Sequence, residues 1–524
     1  MNKETSSDSY GRSLRSSSDL HRHTSNDNHG NSVHSSDDQD VHVFTGHDDA
    51  MQPATRELSR TQTLLNKVSS RISFFNERLN AERISLSWKV LGIYGIMGFF
   101  ILAIFSIYWG SIYRREYRYK NLRMLVVIED EDTVNGIAPI IGETIRSILA
   151  TPPAMALGKW LIQNTTEFNA LAQRHNNSVF EEIQRQVHHQ HYWSSIYVPR
   201  NATAGLYEAI LAGDVSYNVS ANTAISYYET GRDFLSMNQY VTPNVQRIQS
   251  MFLRHQQNIT SAILGNSDLS QVFNNLNSLT VAATPMEWTF MDGRPFKDPV
   301  LLAPSQVGLI YMIIITFFSF NFFSDIHQSV AKMGIKIPHL VLYRILSAIL
   351  SFFVISFFYS LVTLVFQVDF TRTFGHSGFI VYWMTNFLTM WAVGAMNEAM
   401  GMVFIMLYPP LLGFWMLFWV IVNISPTFAP LALSAKFFRY GYGMPIHASY
   451  EITKVIFFNT YKGALGRNYG ILVAWCVIAS VLLLVVFKKF GQVMGGRAAA
   501  QRAQIEKELN EKRARDEEGE IDFS

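Results

Sequence analysis

Six long apolar runs divide the chain. Five lie between residues 306 and 486, opening with SQVGLIYMIIITFFSFNFF and closing with YGILVAWCVIASVLLLVVF, with 341–366, 379–396 and 401–424 between them. The sixth, 88–109, stands alone nearer the N-terminus. Each is about long enough to cross a ~30 Å hydrocarbon core as a helix, which takes roughly 20 residues. Aromatic residues crowd the ends of the runs, as expected where amphipathic rings lie at headgroup depth. The pattern predicts a polytopic α-helical membrane protein with six transmembrane helices. A mixed α/β extracytoplasmic domain at 110–303 would be inserted between the first helix and a five-helix membrane block at 304–487.

Shorter patterns fill in the rest. Residues 1–58 hold little that could form a core and predict a disordered cytosolic tail. Its GRSLRSSSD and RELSRTQTLL segments place Ser beside Arg, as phosphorylation sites do, although a solubilising tail would read the same. Leu64, Leu65, Val68, Ile72, Phe75 and Leu79 recur at helical spacing among Lys67, Arg71, Arg78 and Arg83. That predicts an amphipathic basic helix over 59–87 with its apolar face in the headgroup boundary and its basic face toward anionic lipid. In the insert, NLRMLVVIEDED predicts a strand and GIAPIIGETIRSIL a turn and helix. Helices are expected at 165–191, 204–211, 242–264 and 269–276, and VAATPMEWTFMDGRPFKDP reads as extended. In the membrane block, 397–400 reads as a tight inner turn and 426–468 as irregular, partly re-entrant chain. Residues 488–524 read as a charged cytosolic tail, helical at first.

Orientation follows from sequons and basic residues. Asn164, Asn176, Asn201, Asn218 and Asn258 each begin an N-x-[ST] sequon, all within 110–303, and neither tail carries one. This favours glycosylation and a lumenal or extracellular face for the insert. Lys332 and Lys336 then fall in a cytosolic loop, in accord with the positive-inside rule. Both termini are expected in the cytosol, with the first apolar run serving as a signal anchor in place of a cleaved leader.

Composition narrows the chemistry. Charged residues make up 16% of the 524, hydrophobic ones 48%, and the net charge is +2, which gives no support for nucleic-acid binding. The one cysteine, Cys476, lies in the last apolar run, so the insert has no disulfides. No G-x-x-x-x-G-K-[ST], H-E-x-x-H or G-x-S-x-G occurs, so the chain carries no P-loop ATPase and no recognisable hydrolase or metalloprotease motif. An enzyme is not expected, nor is a cofactor. HHQHYW puts His188 and His191 on one helical face, but no carboxylate or cysteine completes a metal site nearby. The candidate intramembrane polar residues are Glu398, Asn397, Asn386 and Glu451. Ionisable groups in spans are costly and usually functional. Glu398 would line a polar cavity or be wetted at the cytosolic edge. Asn386 and Asn397 would hydrogen-bond between helices, and Glu451 would pair with Lys454 or Arg439.

Four stretches together carry a resemblance: SIYWGSIYRR, SQVGLIYMIIITFFSFNFF, GFIVYWMTNFLTMWAVGAMNEAMGM and FRYGYGMPIHASYEITKVIFFNTYKGALGRNYGILVAW. They resemble the fungal nitrosoguanidine-resistance membrane protein family, whose shared domain of unassigned function would cover about residues 95–485 here. That family is similar in layout to the membrane subunits of type-2 ABC exporters. The resemblance implies a plasma-membrane protein linked to resistance to toxic compounds and to lipid asymmetry, and supplies no mechanism. Two readings follow. One is an exporter-like protein acting on amphipathic compounds or lipids, energised by a separate ATPase partner or by a proton coupled at Glu398. The other is a regulatory scaffold or sensor that controls other transporters or flippases. Membrane lipids are expected partners of either, and a homo-oligomer is compatible with both.

Overall fold

The computed structural model describes residues 74–265, 269–428 and 430–521. The basic positions before residue 74 and the Ser/Arg segments lie outside the described residues. The chain divides into two compact units, Met1–Leu86 and Ser87–Ser524. In what is described of the first, Asn76 caps a short 3-10 turn at Glu77–Leu79. Helix α1 then runs without interruption over Asn80–Ile112. The expected boundary at residue 87, between amphipathic helix and first span, falls inside this one helix.

A five-stranded sheet follows: β1 Arg123–Ile128, β2 Lys159–Ile162, β3 Ser194–Val198, β4 Ile225–Tyr228 and β5 Thr289–Asp292. Its order is β2-β1-β3-β4-β5. β1 lies parallel to both β2 and β3, β3 pairs antiparallel with β4, and β4 pairs parallel with β5. The longer helices around it are α2 Ile140–Leu149, α3 Thr165–Arg174, α4 Val179–His188, α5 Ala202–Ala212, α6 Thr242–Leu253, α7 Gln256–Leu264 and α8 Leu276–Ala283. The run MLVVI of β1 is buried throughout, as a central strand covered on both faces must be. Because side chains alternate along a strand, Val126 and Ile128 pack with Ile141, Ile145, Ile210 and Phe252 of α2, α5 and α6. Leu125 and Val127 pack on the other face with Phe168 and Ile183 of α3 and α4.

Two expected helices here are each two. The segment 165–191 breaks at Asn176, whose φ of 56° is left-handed, and restarts where Ser178 and Glu181 form a reciprocal capping box. The segment 242–264 breaks at Arg254 and His255.

The remaining long helices are α9 Gly308–Lys332, α10 Ile337–Val365, α11 Gly378–Leu407, α12 Leu412–Ile424, α13 Pro445–Phe458 and α14 Leu465–Ile521. Helix α11 is the hub and packs against α9, α10, α12, α13 and α14. Among the described residues five helices are long and apolar enough to cross a membrane; they contain α1, α9, α10, α11 and α14. The chain is therefore a mostly helical, polytopic membrane protein.

The structure corrects the reading of 397–400 as a tight turn. These residues lie inside the 30-residue α11. The chain breaks instead at Tyr408, before Pro409 and Pro410, where proline removes the backbone donors a continuing helix needs. The run 401–424 is accordingly split, and α12 has only 13 residues. Segment 426–468 holds a 3-10 stretch, Lys436–Gly443, and α13, which is buried at nearly every position. The last apolar run and the charged segment after it form one 57-residue helix, α14.

Candidate functional site

Helix α11 carries a seam of polar side chains through the bundle. Tyr382 Oη lies 3.3 Å from Thr363 Oγ1 of α10, and Thr385 Oγ1 lies 2.8 Å from Tyr469 Oη of α14. Asn386 donates to Ser360 Oγ at 2.9 Å, and Thr389 donates to Ser449 Oγ of α13 at 2.8 Å. Lower on the same helix, Asn397 donates to the Ile313 carbonyl at 3.0 Å and to Thr316 Oγ1 at 3.2 Å, both on α9. It accepts from Trp415 Nε1 of α12 at 3.2 Å. Asn386 and Asn397 are fully buried, so each ties α11 to its neighbours by bonds that no water replaces. Eleven residues at 1.5 Å each separate them by about 16 Å along the axis.

Glu398 ends the seam. Its Oε2 accepts from Arg344 Nη2 of α10 at 2.7 Å, and both residues are 3% exposed. Arg344 Nη1 is buried with no hydrogen-bond partner. The reading of Glu398 as wetted at an edge is thus replaced by a buried ion pair. Arg344 lies in LVLYRILSAIL, where an arginine interrupts an apolar run and needs a counter-charge nearby, a signal that marks the residue without naming its partner.

Glu451 belongs to a different place. Its Oε1 accepts from Lys454 Nζ at 2.7 Å, and Arg439 takes no part in that pair. This pair on α13 lies within electrostatic reach of Arg232 and Asp233, which follow β4. Arg232 stacks on the Trp193 ring at 3.9 Å and donates to the Tyr192 carbonyl at 2.5 Å. Burial brings the Arg232 guanidinium down to about 10, against the pull of Glu451, Asp233 and Glu229, so it stays charged at neutral pH. Burial raises the Asp233 carboxyl, with Lys454 and the Ser236 N–H opposing. Arg232 and Lys454 thus face the acidic side chains of Asp233 and Glu451 where the sheet meets α13.

The remaining sequence candidates are dispersed. Asn164, Asn176, Asn201, Asn218 and Asn258 are all exposed. Asn164 and Asn218 cap helices through their side-chain oxygens. Lys332 is the last residue of α9, and Lys336 precedes α10. His188 and His191 do not share a helical face, because α4 ends at His188. His188 Nδ1 lies 2.9 Å from Glu229 Oε1, and His191 Nδ1 lies 2.8 Å from Gln186 Oε1. Among the described residues no three His, Cys, Asp or Glu side chains are grouped to hold a metal ion.

The fold and seam define a class: a membrane-spanning helix bundle with a buried ion pair, joined to a sheet that follows its first helix. Within that class the chain belongs to the family described as a protein of unknown function (DUF3533), whose model matches residues 93–481. An uncharacterized endoplasmic reticulum membrane protein of Saccharomyces cerevisiae is 33% identical over 429 residues, covering 79% of this chain and 82% of that one. No solved structure matches.

Proposed function

We propose that the protein is exporter-like. It moves, or helps to move, amphipathic compounds or lipids, and so contributes to resistance to toxic compounds and to lipid asymmetry of the bilayer. The Arg344–Glu398 pair carries this reading. A buried ion pair within membrane helices is held against a large desolvation cost, and ionisable groups placed there mark pathways or relays by default. The chain has no ATPase motif of its own, so a separate ATPase or a proton taken up at Glu398 supplies the energy.

The proposed topology has six crossings, both termini cytosolic and the sheet outside. Its support is the direction of α12. The Met406 carbonyl, at the end of α11, accepts from Arg497 of the charged part of α14 at 2.6 Å. Past α12, the Ala432 carbonyl accepts from Asn121 Nδ2 at 2.9 Å, beside the start of β1. Helix α12 therefore returns toward the sheet, short as it is. Plasma-membrane residence follows from the family resemblance, whereas the yeast relative carries an endoplasmic reticulum name. A fluorescent fusion imaged in a fungal cell distinguishes the two membranes.

The decisive test is transport by purified protein in sealed liposomes, with fluorescent phospholipids and an amphipathic dye, with and without a proton gradient. Movement above that of empty liposomes, lost in Glu398→Gln at equal folded protein, is the expected result. No movement under any gradient overturns self-sufficient transport. It would leave the regulatory reading or a missing ATPase partner, to be separated by identifying what co-purifies.

A further inference from the structure

Helix α1 is barely buried. Only Ile104 and Ser111 along its length are closed off from the surroundings. Between α1, the end of α11 and the start of α12 lies a cavity of about 330 Å³. Its walls include Phe100, Ile104 and Ile107 of α1, Phe404 of α11, and Phe414 and Trp415 of α12. Phe100 and Phe414 stack at 4.9 Å and close one wall. Phe99 and Ala103, also on the lining, are exposed, so the cavity opens sideways past α1.

We propose that this cavity binds one hydrocarbon chain of a membrane phospholipid, entering from the bilayer between α1 and α12. Three observations support that occupant. Two of the three helices that form the walls, α1 and α11, are long and apolar enough to cross a membrane, and the third, α12, is shorter but apolar, so the medium at the opening is lipid. The lining offers no polar group to a headgroup. The Trp415 Nε1–H, its polar atom, is already donated to Asn397 Oδ1. The volume lies at the low end of the range of about 300–1,000 Å³ for small-molecule sites, which suits one chain and not a whole lipid. An apolar cavity does not hold water, and left empty it forfeits the dispersion contacts of its walls. Transfer from bilayer to cavity brings no hydrophobic gain, so selectivity comes from packing against the rings. Trp415 is the link inward, because the ring that borders the chain also holds the Asn397 bond one residue from Glu398. The site stands whether or not the protein moves lipid, since its test is binding.

The experiment uses the full chain in nanodiscs made with a phospholipid that carries a photoreactive diazirine in mid-chain, followed by mass-spectrometric mapping. Phe100, Ile104, Phe404 and Phe414 are expected to be labelled about tenfold more than the exposed Leu350 and Phe358 of α10, a preference of about 1.4 kcal/mol. Ala103→Trp fills the cavity from α1 and Met400→Trp from α11. Each should abolish the excess labelling and leave Leu350 and Phe358 unchanged. Using two variants from opposite walls guards against one that misfolds. Equal labelling of cavity and α10 residues, or cavity labelling unchanged in both variants, overturns the proposal. So does cross-linking of these residues to a second copy, or labelling by a diazirine fatty acid but not by the phospholipid.

Discussion

Arg344 and Glu398 neutralise each other inside the bundle, and neither has water to fall back on. Removing one partner of a buried pair leaves an uncompensated charge and costs about 3–5 kcal/mol, whereas replacing both with hydrocarbon is often neutral. Glu398→Gln and Arg344→Met should therefore each lower the thermal midpoint in detergent, and Arg344→Met with Glu398→Leu should recover most of the loss. Single variants as stable as the parent would show that the pair is not closed in solution. A stable double variant without transport would assign the pair to function and not to packing. A second residue-scale prediction concerns Glu182 of α4, whose side chain is fully buried. Burial pushes its carboxyl up, but bonds from Gln186 and Asn177, with Arg185 and His175, outweigh that and hold it below the usual range. A depressed folded pKa contributes stability that is complete above the unfolded value near ~4.3 and is lost as pH falls through the folded one. Glu182→Gln should be less stable at neutral pH and lose less on acidification, as thermal midpoints across pH would show; parallel curves would refute the assignment. The sequence marked Glu398 because an ionisable group beside apolar runs is costly. It could not reveal the pairing, because Arg344 lies 54 residues away and only the packing of α10 on α11 joins them.

Helix α11 packs closely because it is small where its neighbours are large. A Cβ on Gly394 would meet the Phe352 ring at 2.4 Å and Thr316 Cβ at 3.0 Å, and one on Gly401 would meet the Phe320 ring at 2.8 Å. Small residues at such positions let membrane helices approach, and that approach replaces a hydrophobic driving force that lipid does not supply. Gly394→Val should cost about 1–3 kcal/mol by overpacking. Gly413→Val on α12, where a Cβ meets nothing within 4 Å, should be nearly neutral. The fraction that stays monodisperse after heating reads both, and equal survival would mean that α9 and α10 yield without strain. The misreading of 397–400 has its cause in the same element. Asn397, Glu398 and Gly401 look like punctuation in one dimension. In the bundle the two polar side chains are satisfied across helix faces and the glycine admits Phe320, so the helix continues to Tyr408. In the sheet, β1 was legible as MLVVI, an unbroken apolar run. KWLI, SSIYV and ISYY were not, because four or five residues mixed with Ser and Lys show no period until β1 and β3 supply their hydrogen-bond partners.

At the scale of the molecule, the number of crossings turns on α12. Its 13 residues span only about 20 Å at 1.5 Å each, less than the ~30 Å hydrocarbon core. Yet the chain enters it beside Phe100 of α1, and eight residues past its end Ala432 lies against Asn121, near β1. If α12 completes a crossing, five traverses separate the sheet from the charged end of α14, and the two lie on opposite sides. If it does not, they share a side. The exposed sequon asparagines report the sheet's side, since N-glycans are added only in the lumen. Asn201 is a special case: the hydroxyl of Thr203, which completes its sequon, is buried and donates to Asp130 Oδ2 at 2.6 Å, so modification there must precede folding. Expressed in a eukaryotic host, the protein should shift in mobility on glycosidase treatment, and Asn→Gln at all five positions should abolish the shift. In sealed microsomes, protease added outside should remove a tag placed after Ser524 while the glycosylated sheet stays protected. Protection of both would place the end of α14 in the lumen, and α12 would then be a re-entrant helix that turns back before the second headgroup layer.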